Sequence, residues 1–180
     1  IRKTDCKQKD YATVFYFNLL AGILFYIILF FSATSISQFF NEPISRDLVR
    51  VLGLVLIINS FAIIQRTILM KNINFKLQAK ITLSSSVLSG IIGITLAYNG
   101  FGVWSLAFQR ILNQLFTAIL LWICNRWLPT LELSKQSFKE MFSFGSRLLA
   151  SSLIDTTYRN IYYLIIGKFF SATELGYYTR

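Results

Sequence analysis

The sequence predicts an all-α protein, a polytopic membrane helix bundle of five transmembrane helices, and three observations carry that prediction. Apolar residues make up 54% of the 180-residue chain and charged residues only 14%, against about a quarter charged in a soluble domain. The apolar residues fall in blocks rather than in alternation, each near the ~20 residues that a bilayer crossing needs. The cations gather in alternate connectors between those blocks.

Residues 1–10, IRKTDCKQKD, form a polar, mostly basic lead-in without the short apolar core and small-residue cut site of a signal peptide. The chain begins at Ile1 without an initiator Met and ends at Arg180 without a terminal tail, which suggests an internal piece of a longer protein. The first span, 11–31, carries no charge, and Asn18 is its only strongly polar member. Residues 32–47 are a connector with Pro43 and candidate helix caps at Ser45 and Asp47.

The second span, 48–66, is bracketed by Arg50 and Arg66, which can snorkel to the two interfaces. From Arg66 to Lys80 there are four cations and no acid, a polar turn with amphipathic character. The third and fourth spans, 81–98 and 103–124, are separated only by Asn99-Gly100-Phe101-Gly102, the signature of a tight helical hairpin. Ser85, Ser89 and Gly93 recur at four-residue spacing, as do Ser86 and Gly90, and such small residues let another helix come close.

Residues 125–140 are a polar insert, with Trp122 and Trp127 bracketing a membrane interface. Ser137-Phe138-Lys139-Glu140 fits a capping box that launches the last helix, within 141–180.

Charge placement gives the direction. Arg2, Lys3, Lys7, Lys9, Arg66, Lys71, Lys76, Lys80, Arg126, Lys135 and Lys139 fall on one side of a five-span zigzag. Only Arg46, Arg50, Lys168 and Arg180 fall on the other, so the first, third and fifth connectors are cytoplasmic.

Three arginines remain inside spans, and they define the candidate site. In the last span, Arg147, Ser151, Asp155, Tyr158, Arg159 and Tyr162 fall within an arc of about 120°. Isolated charges in hydrocarbon cost at least about 2.5–3.5 kcal/mol each, so this stripe faces protein or a wet cavity. Two readings stand: a cationic patch for an anionic solute with Asp155 as an ion or proton site, or an Asp155–Arg159 pair that only holds helices together. The fourth span adds Arg110, Asn113 and Gln114 on one face, where Arg110 either lines a cavity or snorkels outward. Guanidinium suits phosphate because its planar fork matches two oxygens and keeps its proton.

Several classes are disfavoured. The net charge of +10 is distributed over short connectors, which argues for topogenic charge and against nucleic acid. Cys6 and Cys124 have no metal-ligand or disulfide spacing, and the chain has no histidine, so no metal or cofactor is expected. No phosphate loop, nucleophile elbow or paired-carboxylate cluster is present, and an enzyme is not expected.

The segments TVFYFNLLAG (13–22), AYNGFGVWSLAFQRI (97–111), FSFGSRLLASSLI (142–154) and NIYYLIIGKFFSATELGYYTR (160–180) resemble oligosaccharide flippases of the Wzx and colanic-acid-exporter type, within the multidrug/oligosaccharidyl-lipid/polysaccharide exporter superfamily. The resemblance implies two pseudo-symmetric lobes in the bacterial inner membrane. Residues 1–124 would close the first lobe, 125–140 would link the lobes in the cytoplasm, and 141–180 would open the second. It further implies flipping of undecaprenyl-diphosphate-linked repeat units to the outer leaflet by alternating access, coupled to Na+ or H+. The partners would be that lipid-linked oligosaccharide, the coupling ion and membrane lipids. Arg110, Asn113, Gln114, Arg147 and Arg159 are then the candidate substrate contacts and Asp155 the coupling candidate, on the charge-in-membrane argument alone. A multidrug exporter would be expected to use acids rather than surplus arginine. A polymerase or glycosyltransferase would need a large outer loop or a carboxylate set. The cavity would not be closed by these residues alone.

Overall fold

The computed structural model describes residues 8–125, 127–131 and 135–169, without the side chains of 135–137, 140, 141, 144, 163, 164, 166, 167 and 169. Five helices follow one another: α1 (Gln8–Phe40), α2 (Ile44–Lys71), α3 (Phe75–Tyr98), α4 (Val103–Asn125) and α5 (Lys135–Phe169). The helical membrane bundle expected from the sequence is observed. The helices outrun the apolar blocks, however. Residues 32–40 and 67–71, expected as connector and polar turn, are helical. They contain no Pro or Gly to interrupt the hydrogen-bond ladder. Accordingly α2 starts at Ile44 with Pro43 at its N-cap and no side-chain cap, rather than at a Ser45 or Asp47 cap. The capping box expected to launch the last helix at Ser137 is not its start, since α5 begins at Lys135 and Ser137 lies within its first turn.

Four of the helices, α1 to α4, are long and apolar enough to cross a membrane. Helix α5 is long enough, but between Ser151 and Asn160 polar side chains outnumber apolar ones. The five expected spans therefore divide into four apolar helices and one charged helix.

Three helix ends close in the same way. At the end of α1, Glu42 N–H reaches Ser37 O at 3.2 Å while Asn41 takes φ 57°. At the end of α2, Asn74 N–H reaches Leu69 O at 3.0 Å with Ile73 at φ 54°, and after α3, Phe101 N–H reaches Leu96 O at 3.2 Å with Gly100 at φ 82°. Each is a Schellman closure, whose left-handed residue is ordinarily glycine. Only Gly100 adopts it without a Cβ penalty. Asn74 then caps α3 by accepting from Leu77 N–H at 3.2 Å.

The helices pack in the order α5, α1, α2, α4, α3, with α2 and α3 touching only briefly although a three-residue turn joins them. Ala62 and Leu69 of α2, Ile81 of α3, and Ala118 and Leu121 of α4 form the buried core where those three helices converge. Small residues set the seams. Gly22 lets α1 meet α2, since a Cβ there would lie 2.2 Å from Ser60 Oγ. Ser85, Ser89 and Gly93 are buried between α3 and α4, so the first small-residue stripe is a contact. Ser86 of the second stripe is exposed, and a Cβ on Gly90 would meet open space.

A third seam was not expected from the sequence. The Phe15 ring lies 6.0 Å, centroid to centroid, from each of Phe61, Trp122 and Trp127. Beside it Gln65, fully buried, donates to Trp127 O at 2.9 Å and accepts from Asn125 Nδ2 at 2.7 Å. Gln8 donates to Leu128 O at 2.8 Å and accepts from Trp127 Nε1 at 2.9 Å. The chain leaving α4 is thus bound back onto α1 and α2. At the opposite end Arg50 covers the Phe30 ring at 4.4 Å. This arrangement puts the start of α1 and the ends of α2 and α4 at one end of the bundle, as the zigzag requires.

Candidate functional site

Helix α5 runs parallel to α1. Near one end Phe138 and Phe142 stack on each other and pack against Phe17, with centroids 5.2 and 5.9 Å from it. Near the other end Lys168 donates to Phe39 O and lies 4.5 Å over its ring. Between α1 and α5 lies an apolar groove of about 530 Å³, whose α5 wall is Phe138, Phe142, Gly145, Ser146 and Leu149.

Those five residues and the charged arc occupy different faces. At 100° per residue the groove-lining positions centre about 150° away from Arg147, Ser151, Asp155, Tyr158, Arg159 and Tyr162. All six arc residues are exposed. Arg159 Nε meets Asp155 Oδ1 at 3.0 Å with side chains 74% and 57% exposed. Such a surface pair one helical turn apart stabilises by only about 0.3–0.5 kcal/mol. Arg147 has no hydrogen-bond or ion-pair partner among the described residues. Helix α5 therefore faces α1 along Phe138 to Leu149 and turns its charge away from the other four helices, while Leu153 and Ile154 stay exposed.

The α4 candidates lie elsewhere. Asn113 donates from Nδ2 to Ser86 Oγ at 3.3 Å and to Ser89 Oγ at 3.1 Å, and Gln114 donates to Asn59 Oδ1 at 2.8 Å. These two side chains tie α4 to α3 and α2 respectively. Helical periodicity sets Arg110 between their directions, one turn nearer Gly100, on the α4 face that looks between α2 and α3. It is exposed there. Among the described residues α4 and α5 make no contact. The structure joins Arg110, Asn113 and Gln114 on one surface and Arg147, Asp155 and Arg159 on another, and does not join the two surfaces.

Asn59, Gln65 and Gln8 escaped sequence reasoning, and the stripe spacing marks Ser86 as packing rather than as the partner of Asn113. The available signal was a strongly polar amide inside or beside an apolar block, as at Asn59. Cys124 is exposed and free.

The chain is similar to proteins named for polysaccharide biosynthesis and transport. It is 28% identical over 181 residues to the teichuronic acid biosynthesis protein TuaB of Bacillus subtilis, covering 99% of this chain and 37% of the relative. It is 23% identical over 167 residues to the succinoglycan biosynthesis transport protein ExoT of Rhizobium meliloti, covering 93% of this chain and 34% of the relative. It is 26% identical over 183 residues to the amylovoran biosynthesis protein AmsL of Erwinia amylovora, covering 99% of this chain and 47% of the relative. The chain thus spans between about a third and a half of the length of these relatives. No solved structure matches it. Four long apolar helices and these relatives make it a multi-pass membrane protein, consistent with a bacterial inner membrane. The model of the polysaccharide biosynthesis protein family matches residues 1–180, a range that contains every helix and both polar surfaces, and the chain belongs to that family.

Proposed function

We propose that the full protein flips lipid-linked oligosaccharide diphosphates from the cytoplasmic to the outer leaflet, by alternating access around cationic surfaces, and that it performs no covalent chemistry. In this reading α1 to α4 belong to one lobe and α5 opens a second, with residues 125–140 linking the lobes in the cytoplasm. One observation carries the proposal: α5 packs with its apolar side and turns Arg147 and Arg159 outward. A guanidinium kept at that depth suits a diphosphate or an acidic sugar, because it stays protonated and presents a planar pair of donors. Two arginines against one acid leave surplus positive charge, which favours an anionic cargo over a cationic drug. Asp155, paired to Arg159, is the group through which Na+ or H+ would be coupled. The succinoglycan transport relative supports the transport role by name.

The test uses the full-length protein in a strain deleted for its gene. A charge-assisted hydrogen bond contributes about 1.5–3 kcal/mol, so Arg147→Ala or Arg159→Ala should lower surface polymer about ten- to hundredfold at unchanged protein level. Arg46→Ala, on the outer turn of α2 beside Asp47, should leave display unchanged. Normal display in both α5 variants removes these residues from the transport reading.

A further inference from the structure

Export by the α5 arc leaves the cleft between α2 and α3 without a role, and its hydrogen bonding is half used. Asn113 and Gln114 direct their amide N–H groups to Ser86, Ser89 and Asn59. Asn113 Oδ1, Gln114 Oε1 and Asn59 Nδ2 have no protein partner among the described residues, and none of these atoms is sealed from solvent. The cleft continues along α3 into an open, mostly apolar hollow of about 680 Å³, where Gln78, Thr82 and Ser86 stand among Phe75, Ala79 and Leu83, with Met70 of α2 opposite.

Cations stand at both ends. Arg66 is seven residues from Asn59 and so on the same α2 face, about 10 Å away along the helix. Arg110 lies one turn beyond Gln114, about 6 Å in the other direction. The polar run is then about 16 Å long, with neutral amides and hydroxyls between two guanidinium groups. Hydrocarbon cannot cover such a surface, since each unpaired polar group there costs several kcal/mol. Its complement is a molecule that donates and accepts hydrogen bonds at many points and carries negative charge.

We infer that the α2–α3 cleft binds the glycan part of the substrate, a polyhydroxylated acidic oligosaccharide. Asn59, Asn113 and Gln114 meet its hydroxyls, and Arg66 and Arg110 meet its anionic groups. The inference rests on the export reading and adds to it a second surface, separate from the α5 arc.

The experiment places a cysteine at Thr82 (Thr82→Cys) in the full-length protein with its native cysteines replaced by serine. A membrane-impermeant maleimide is applied to inside-out vesicles. Two strains are compared, one blocked after assembly of the lipid-linked glycan and one blocked before its first sugar is added. The expected result is rapid labelling in the glycan-free strain and a several-fold slower rate in the strain that accumulates glycan. An unreactive thiol in both means that other helices of the protein fill the cleft, which overturns the inference. Equal labelling in both means that water alone occupies it, which also overturns it. Gene deletion separates this from the export reading. If deletion leaves surface polymer intact, the export reading fails and takes the cleft with it. If deletion abolishes polymer while Thr82→Cys is sealed or unprotected, the cleft assignment alone fails.

Discussion

The α1–α2 seam offers a quantitative test through Gly22→Ala. A Cβ on Gly22 would lie 2.2 Å from Ser60 Oγ, 3.2 Å from Leu56 O and 3.3 Å from Ser60 Cβ. Ser60 Oγ already donates to Leu56 O at 2.8 Å, so it can leave the new methyl only by breaking that bond. A side-chain hydrogen bond of this kind contributes about 0.6 kcal/mol in a membrane protein. The two remaining contacts are still tight and push the helices apart, and overpacking of that sort costs about 1–3 kcal/mol. Gly22→Ala should therefore destabilise by about 1.5–3.5 kcal/mol, the sum of the two terms. In a Ser60→Ala background the 2.2 Å contact is gone and no hydroxyl bond is left to lose. There the Leu56 O and Cβ contacts remain, so the same substitution should cost less by the hydroxyl term alone, about 0.6 kcal/mol, just above the ~0.5 kcal/mol scatter of independent sites. The cycle is measured by unfolding the full-length protein in mixed micelles. Equal costs in the two backgrounds would refute the close approach of α1 and α2 at Gly22.

Two further substitutions probe the end of the bundle where α2 and α4 finish. Gln65→Leu leaves the Trp127 carbonyl without its donor, a loss of about 1–3 kcal/mol for a buried group. Amide exchange in the segment after α4 should accelerate by tenfold or more, on the scale of 1.4 kcal/mol per decade, while the middle of α2 stays protected. Unchanged exchange there would show that Gln65 does not hold the segment. Ile73→Gly should stabilise, because a β-branched residue at φ 54° is strained and its side chain is 74% exposed, with little burial to lose. The left-handed penalty of about 1–2 kcal/mol, less glycine's greater unfolded entropy, leaves a net gain of about 0.5–1 kcal/mol. A lower unfolding midpoint in the variant would contradict the strain assignment.

What was legible in the sequence divides along physical lines. Apolar blocks marked α1 to α4 because a bilayer imposes a minimum length, and alternate basic connectors gave their directions. The Asn99–Gly102 hairpin was legible because Gly100 supplies the left-handed residue that the end of α3 needs. The ends of α1 and α2 were not, since Asn41 and Ile73 take the same conformation without glycine. The Ser85–Ser89–Gly93 stripe announced a contact, but nothing local distinguished it from the Ser86–Gly90 stripe beside it. Only the position of α4 makes that choice. The amide cluster at Gln8, Gln65, Asn125 and Trp127 joins residues more than a hundred positions apart, such as Gln8 and Leu128. Periodicity within one helix carries no information about such a meeting. The same limit applied to the arginines: spacing located each one on its helix, and tertiary packing separated Arg110 from Arg147 and Arg159.

The orientation of α5 follows from an energy comparison rather than from the strength of its contact. Arg147, Asp155 and Arg159 facing acyl chains would together cost about 8–10 kcal/mol at the lower, insertion-scale figures. Snorkelling relieves residues near an interface, but Asp155 and Arg159 lie near the middle of the helix. Their mutual pair returns only a few tenths of a kcal/mol while both remain exposed. Of the apolar residues of α5, Phe138, Phe142 and Leu149 face α1, while Leu148, Leu153 and Ile154 stay more than half exposed. A helix whose charged side is left open is stable in a membrane only if water, protein or an anion reaches that open side. Neutralising the arc is the decisive perturbation. Arg147→Leu with Arg159→Leu should keep α5 against α1, because the packed face is untouched, and should abolish export. Loss of the α1–α5 contact itself, read from crosslinking of cysteines at Phe17 and Phe142, would show instead that the arc serves the packing of the helix.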